Sequence, residues 1–186
     1  TPGAKIGAAF FHAVTPRTAG FSTVEVAKMY AATQFLIIVL MFIGASPGST
    51  GGGIKTTTFG ALGLAVLSLA RGKEDAELFG RRIPKEQIYR ALGVFLTALT
   101  VVTLATTALL VSEKRDFLAL LFEAVSAFGT VGLSTGVTPE LTSFGKVVLI
   151  LTMFIGRVGP LTVAFALALR PQRGAVRYPE EKLMIG

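Results

Sequence analysis

The segment Thr18-Ala19-Gly20-Phe21-Ser22-Thr23 returns later in the chain as Thr130-Val131-Gly132-Leu133-Ser134-Thr135. Each copy places a threonine two residues before a glycine and a Ser-Thr pair just beyond it. The string Met-Phe-Ile-Gly then follows each copy at the same distance, starting at Met41 and at Met153. One isolated Thr-x-Gly is a turn or a helix cap. Two copies holding a common downstream register are an internal repeat, and a repeat constrains the whole architecture. The repeated unit reads as a short apolar helix, a Thr-x-Gly turn and a long apolar helix.

Composition says which solvent this unit meets. The chain is 52% hydrophobic and 16% charged, where soluble domains carry about a quarter charged residues. Mean hydropathy is +0.67, which is membrane-like. The net charge is +7, and the basic residues sit mostly in 71–90 and 170–182, each beside an apolar segment. That distribution suits the cytoplasmic flanks of membrane helices and argues against a nucleic-acid face. The absence of cysteine excludes disulfides and thiolate metal sites, and a single histidine argues against a His-based metal site. The chain opens at Thr1-Pro2, in mid-repeat, and so reads as a fragment of a longer protein.

Taken in order, Ala4–Val14 is an apolar helix shorter than the roughly 20 residues that span a bilayer. It stops at Thr15-Pro16, because the residue before proline is driven from helical angles. Met29–Ile54 is free of charge. Its first part, through Gly44, reads as a membrane helix, but Ala45–Gly53 holds proline and a glycine run that cannot sustain one. Helix resumes over Thr56–Ala70, giving a span broken in mid-membrane, where irregular backbone must be buried in protein or line a watery cavity. Residues 71–90 form a charged connector on the cytoplasmic side. Ala91–Ser112 is an uninterrupted membrane helix, Phe117–Phe128 a second short helix, and Lys146–Leu169 a last span interrupted at Gly156–Pro160. The tail, 170–186, is basic and cytoplasmic. The organisation expected is thus 1–70, pore helix, turn and broken helix; 71–90, connector; 91–169, a complete helix–pore-loop–helix unit; and 170–186, tail. Both turns fall at the outer end of the pathway.

A cation entering a narrow pore loses water and needs replacement oxygens, which rings of backbone carbonyls supply. Glycine allows the angles that turn successive carbonyls to one side, and the short helices would aim their partly negative C-terminal ends at the ion. Gly20 and Gly132 are the centre of this reading, with Thr18, Ala19, Thr130 and Val131 offering carbonyls and Phe21 and Leu133 completing the two segments.

The Gly-rich stretch Gly48-Ser49-Thr50-Gly51-Gly52-Gly53 invites a phosphate-loop reading that fails, because Ile54 stands where that motif requires glycine before the lysine, Lys55. It is a passive kink or a movable constriction beneath the filter. Arg157 lies in an apolar span, where charge is costly, and its repeat counterpart is Ala45. It forms a barrier to cations, holds the glycine-rich loop through carbonyls, or snorkels to an interface, which its distance from Arg170 makes awkward. Lys55 marks the cytoplasmic mouth or caps the loop. His12 and the phenylalanines Phe10, Phe11, Phe122 and Phe128 read as packing residues. No nucleophile–base pair supports an enzyme.

The motifs TPRTAGFST, MFIGASPGSTGGGIKTTTFG, FGRRIPKE, SAFGTVGLSTGVTP and MFIGRVGPLT resemble the Trk/Ktr/HKT superfamily of potassium transporters, and within it the bacterial Ktr-type membrane subunit, over almost the whole chain. The resemblance implies an all-α polytopic membrane protein with four helix–pore-loop–helix repeats around one pore. This chain would hold the pore loop and second helix of the third repeat and the whole fourth. It implies potassium uptake through a filter with one glycine per repeat, potassium as the ion bound at the filter residues, and sodium as a candidate coupling or activating ion, without an organic cofactor. It further implies an intramembrane gate at Ala45–Lys55 with Arg157 at the same constriction, and a homodimer in the cell's inner membrane on a cytoplasmic ring of nucleotide-binding regulatory subunits. The reading from another class is a non-conducting membrane scaffold for such a complex.

Overall fold

The computed structural model describes residues 2–73 and 75–159. The expectations for Pro160, for residues 161–169 of the last span and for the tail lie outside them. The described chain is helical: α1 Pro2–Val14, α2 Ala31–Phe42, α3 Thr56–Ala70, α4 Lys85–Ser112, α5 Phe117–Gly129 and α6 Ser143–Val158. Two short 3-10 turns and a two-residue hairpin complete it, the hairpin pairing Glu77 with Arg82 and Leu78 with Arg81 in the connector. Phe79 and Gly80 both take positive φ at its tip, as a type I′ turn requires.

α5 is the centre of the packing. Asp116 starts it, its carboxylate accepting the Leu118 amide at 3.1 Å, and Thr130 ends it in the left-handed region. It packs against α2, α4 and α6, while α3 lies on α4. Phe122, Val125 and Phe128 meet Ile37, Ile38 and Met41 of α2 and Ala98 and Val102 of α4 in one core; Leu120, Ala124 and Ala127 meet Leu109 and Leu149 in a second. The repeat counterpart of α5 is α1, which is largely exposed. Phe122 is 0% exposed, whereas its counterpart Phe10 is 72% exposed.

α4, at 28 residues or about 42 Å, is long and apolar enough to cross a bilayer alone. It begins well before Ala91, because Lys85–Arg90 contains good helix formers behind Pro84, with Glu86 favourably placed in the first turn. The helix read from Met29 to Gly44 is shorter than expected, running only from Ala31 to Phe42. Extended angles at Met29 and Tyr30 delay its start, and the Gln34 side-chain amide donates to the carbonyls of Val26 (3.1 Å) and Met29 (3.2 Å) ahead of it. At its other end Ile43 leaves helical angles. There Arg17 donates to the carbonyls of Ile43 at 3.1 Å and Gly44 at 2.9 Å. α2 and α3 are two short apolar helices separated by irregular chain, with a parallel bridge between Ile43 and Ile54.

Candidate functional site

The two Thr-x-Gly segments adopt one backbone pattern. Thr18 and Gly20 have φ of 71° and 73°, and their counterparts Thr130 and Gly132 have 52° and 90°. A β-branched residue is rarely held in the left-handed region, and doing so costs on the order of 1–3 kcal/mol. Two threonines bearing it at repeat-related positions mark an imposed geometry. The segments also adjoin. A Cβ on Gly20 would overlap the Val131 carbonyl oxygen, and one on Gly132 would stand 3.9 Å from the Gly20 Cα.

Each segment is fastened at its edges and left free in the middle. On the helix side, Val131 N–H donates to Ser126 O at 3.0 Å and Ala19 N–H to Thr15 O at 3.1 Å. On the far side, the hydroxyl of Ser126 donates to Leu133 O and that of Thr15 to Phe21 O, both at 2.6 Å. The carbonyls of Phe21 and Leu133 are thus occupied by hydroxyl donors. Between these ties, the carbonyls of Thr18, Ala19, Gly20, Thr130, Val131 and Gly132 accept no hydrogen bond among the described residues. Unpaired carbonyls on a tied loop at the negative end of a helix can act as ligands to a cation. On one flank of the Gly132 segment a half-open cleft of about 560 Å³ is lined by Glu123, Thr130, Gly132, Ser134, Leu149 and Met153.

The glycine-rich loop lies against both segments. Gly52 N–H donates to Thr130 Oγ1 at 2.9 Å. A Cβ on Gly51 would stand 2.8 Å from Thr18 Cγ2, and one on Gly52 2.7 Å from Thr130 Cγ2, so each threonine side chain rests on a glycine. The loop's own carbonyls go to cations. Lys55 Nζ donates to Gly51 O at 2.7 Å and Ser49 O at 3.3 Å, and Arg157 donates to Thr50 O from α6. The Ser49 amide donates to Ser46 O at 3.2 Å, while Gly48, at φ 81°, is exposed with open space around it. The residues singled out at Thr18–Phe21, Thr130–Leu133, Gly51–Lys55 and Arg157 converge in one place, and Gly48 stands at the loop's outer tip.

Four participants carry little signal in the sequence. Thr15 and Ser126 are ordinary hydroxyls until the chain folds over them. Arg17 is the charge immediately before Thr18, and its reach to the end of α2 is a tertiary event. Glu123, a lone carboxylate inside the apolar α5, could have been found, because a charge there calls for partners. It is 4% exposed and has four donors: Ser134 Oγ at 2.7 Å, Thr135 N at 2.8 Å and Thr135 Oγ1 at 2.9 Å on one oxygen, and Thr138 Oγ1 at 2.6 Å on the other. His12 is a packed residue with a task. Its Nδ1 donates to Ala8 O at 2.8 Å, and its Nε2 meets Ser22 Oγ at 3.1 Å.

Comparison with known proteins agrees with this architecture. The chain is 45% identical over 182 residues to Ktr system potassium uptake protein B of Bacillus subtilis, covering 98% of this chain and 41% of that protein. It is 44% identical over 185 residues to a potassium/sodium uptake protein of Enterococcus hirae, covering 95% of this chain and 41% of that one. These relatives are ion uptake proteins and not enzymes, and the chain spans about two fifths of their length. The potassium transporter TrkH from Vibrio parahaemolyticus has the same fold, with a TM-score of 0.76 at 24% identity over 90% of this chain and 38% of that one. The TrkH family, described as cation transport protein, matches residues 1–178. The polytopic α-helical membrane fold read from the repeat is therefore the right one, and the chain belongs to the TrkH family of cation transport proteins.

Proposed function

We propose that this chain forms two adjoining corners of a potassium-selective pore, with the Thr18–Phe21 and Thr130–Leu133 segments as filter and the loop from Gly48 to Lys55 as an intramembrane gate held by Arg157. The observation that carries the reading is the row of unpaired carbonyls on Thr18–Gly20 and Thr130–Gly132, on loops tied before them by the Ala19 and Val131 amides and after them at the Phe21 and Leu133 carbonyls. Oxygens left free on tied loops at the negative end of a helix suit a ligand that brings positive charge. Potassium as the cargo follows from the relatives, which are potassium uptake proteins, and sodium enters through the potassium/sodium uptake protein among them. Assembly as a homodimer with a cytoplasmic nucleotide-binding subunit, in the inner membrane, belongs to the same reading by family resemblance.

The test is rubidium uptake by the full-length protein in a bacterium lacking its own potassium uptake, with sodium as competitor and membrane abundance as control. Uptake that collapses when Gly20 or Gly132 is replaced and rises when Gly51–Gly53 are deleted is the expected result. Normal uptake without either filter glycine would instead favour a non-conducting scaffold.

A further inference from the structure

We infer that Glu123 is a positioning residue that sets the ion discrimination of the Gly132 segment. The inference rests on the filter reading above and goes beyond it. An ionised carboxylate only accepts hydrogen bonds, at about four lone-pair sites. Glu123 receives four, from the Ser134, Thr135 and Thr138 hydroxyls and the Thr135 amide. Held in this way and 4% exposed, it is engaged with its own loop, by three donors on one oxygen and one on the other. Its action is on the backbone. All four donors lie just past Leu133, whose carbonyl is already tied to Ser126. The segment is therefore pinned before Val131 by the α5 terminus and after Leu133 by Glu123, with the free carbonyls strung between.

Among the described residues the other repeat has no carboxylate brace. The counterpart of Glu123 is Phe11, which is exposed, and the far side of the Gly20 segment is held by the Thr15 hydroxyl and by His12 on Ser22. The two corners are thus tied down by different groups, and only the Gly132 corner by a carboxylate among the described residues. A stiff ring of carbonyls resists closing onto an ion smaller than potassium, so its discrimination depends on what stops it from collapsing. Removing the brace lets the Val131 and Gly132 carbonyls follow sodium inward.

The experiment compares Glu123→Ala, Glu123→Gln, Ser134→Ala and Gly132→Ser in the full-length protein, reading sodium inhibition of rubidium uptake and the KM for potassium, normalised to membrane abundance. Glu123→Ala is expected to lower discrimination about tenfold, the scale of one lost charge-assisted hydrogen bond, and Ser134→Ala to lower it less. Glu123→Gln should restore most of it, because the amide oxygen still accepts from Ser134 and Thr135 while its NH2 turns to the Thr138 hydroxyl. Unchanged discrimination in Glu123→Ala at normal abundance overturns the inference. So does a Glu123→Gln protein as defective as Glu123→Ala, which would put the effect in the charge. If Glu123→Ala does not reach the membrane, Ser134→Ala decides, and unchanged discrimination there overturns it. Gly132→Ser separates the layers: if it too leaves discrimination intact, the filter reading itself is wrong, whereas an effect there without one at Glu123 removes only the brace.

Discussion

The backbone amide of Gly52 donates to the side-chain hydroxyl of Thr130 at 2.9 Å, tying the middle of the glycine-rich loop to the first residue of the Gly132 segment. Loop and segment come from different repeats, and this bond makes the position of one depend on the other. Thr130→Val keeps the shape of the side chain and removes the acceptor. A buried amide left unpaired costs about 1–3 kcal/mol, and the loss falls on the loop position that this bond holds. If the loop is the gate, rubidium uptake per transporter should rise several-fold in Thr130→Val. Rates at or below the parent's would show that this contact does not hold the pathway shut.

The two glycines of the proposed filter should not respond alike. Both hold positive φ, so any side chain strains the backbone. Gly132 has room, its added Cβ standing 3.9 Å from the nearest neighbour, whereas a Cβ on Gly20 overlaps the Val131 carbonyl oxygen of the other segment. Gly132→Ser should therefore assemble near parental abundance with altered ion preference. Gly20→Ser should displace the neighbouring segment as well and cut uptake more deeply. Membrane abundance and rubidium KM for the pair check this, and equal effects would contradict the asymmetric contact.

Much of this was legible because the bilayer writes its demands in long uncharged runs and because the repeat supplies its own control. α4, α5 and α6 and the break after α2 follow from apolar length and from Pro47 and the glycines. What the sequence hid were the events that need distant residues. The early end of α2 depends on Arg17 reaching two carbonyls, and its late start on Gln34. The left-handed threonines are invisible to propensity, which would never place a β-branched residue there. Glu123 stands in plain view inside an apolar helix, but its partners Ser134, Thr135 and Thr138 come together only when the chain folds back over α5. The hairpin in the connector turns on Phe79-Gly80, where Asn-Gly is the usual signal.

Close backbone approach gives the next expectation. Gly156 of α6 lies so near the end of α5 that a Cβ there would overlap the Phe128 carbonyl oxygen and stand 3.0 Å from the Phe128 Cα. Backbone cannot yield as a flexible side chain does. Gly156→Ala should therefore part α6 from α5 and destabilise the protein by about 3 kcal/mol or more, beyond the usual range of overpacking. Loss of folded protein from detergent extracts, read by thermal size-exclusion, is the measurement. Retention of the parental melting temperature would mean that α6 is free to slide.

Glu113 makes the last case, at the opposite end of α6. It caps α4 at its C-terminus and is buried, and its carboxylate accepts the Thr142 amide at 3.1 Å and the Thr142 hydroxyl at 2.5 Å. Thr142 is itself the N-cap of α6, its oxygen accepting the Gly145 amide at 3.2 Å. The carboxylate thus sits at the positive end of α6 with no room to spare, since a Cβ on Gly145 would overlap its oxygen. Glu113→Ala removes a charge from a helix N-terminus and unties the cap, which together amount to about 1–3 kcal/mol. Glu113→Gln keeps one acceptor and should lose about half as much. Gly145→Ala should fall with Glu113→Ala, because it expels the same carboxylate. Since Glu113 and Thr142 make none of the hydrogen bonds that tie the Gly132 segment, all three variants should lower the melting temperature while leaving sodium inhibition of rubidium uptake unchanged in the molecules that remain folded. A shift in ion preference would show that α6 transmits the state of its cap to the filter.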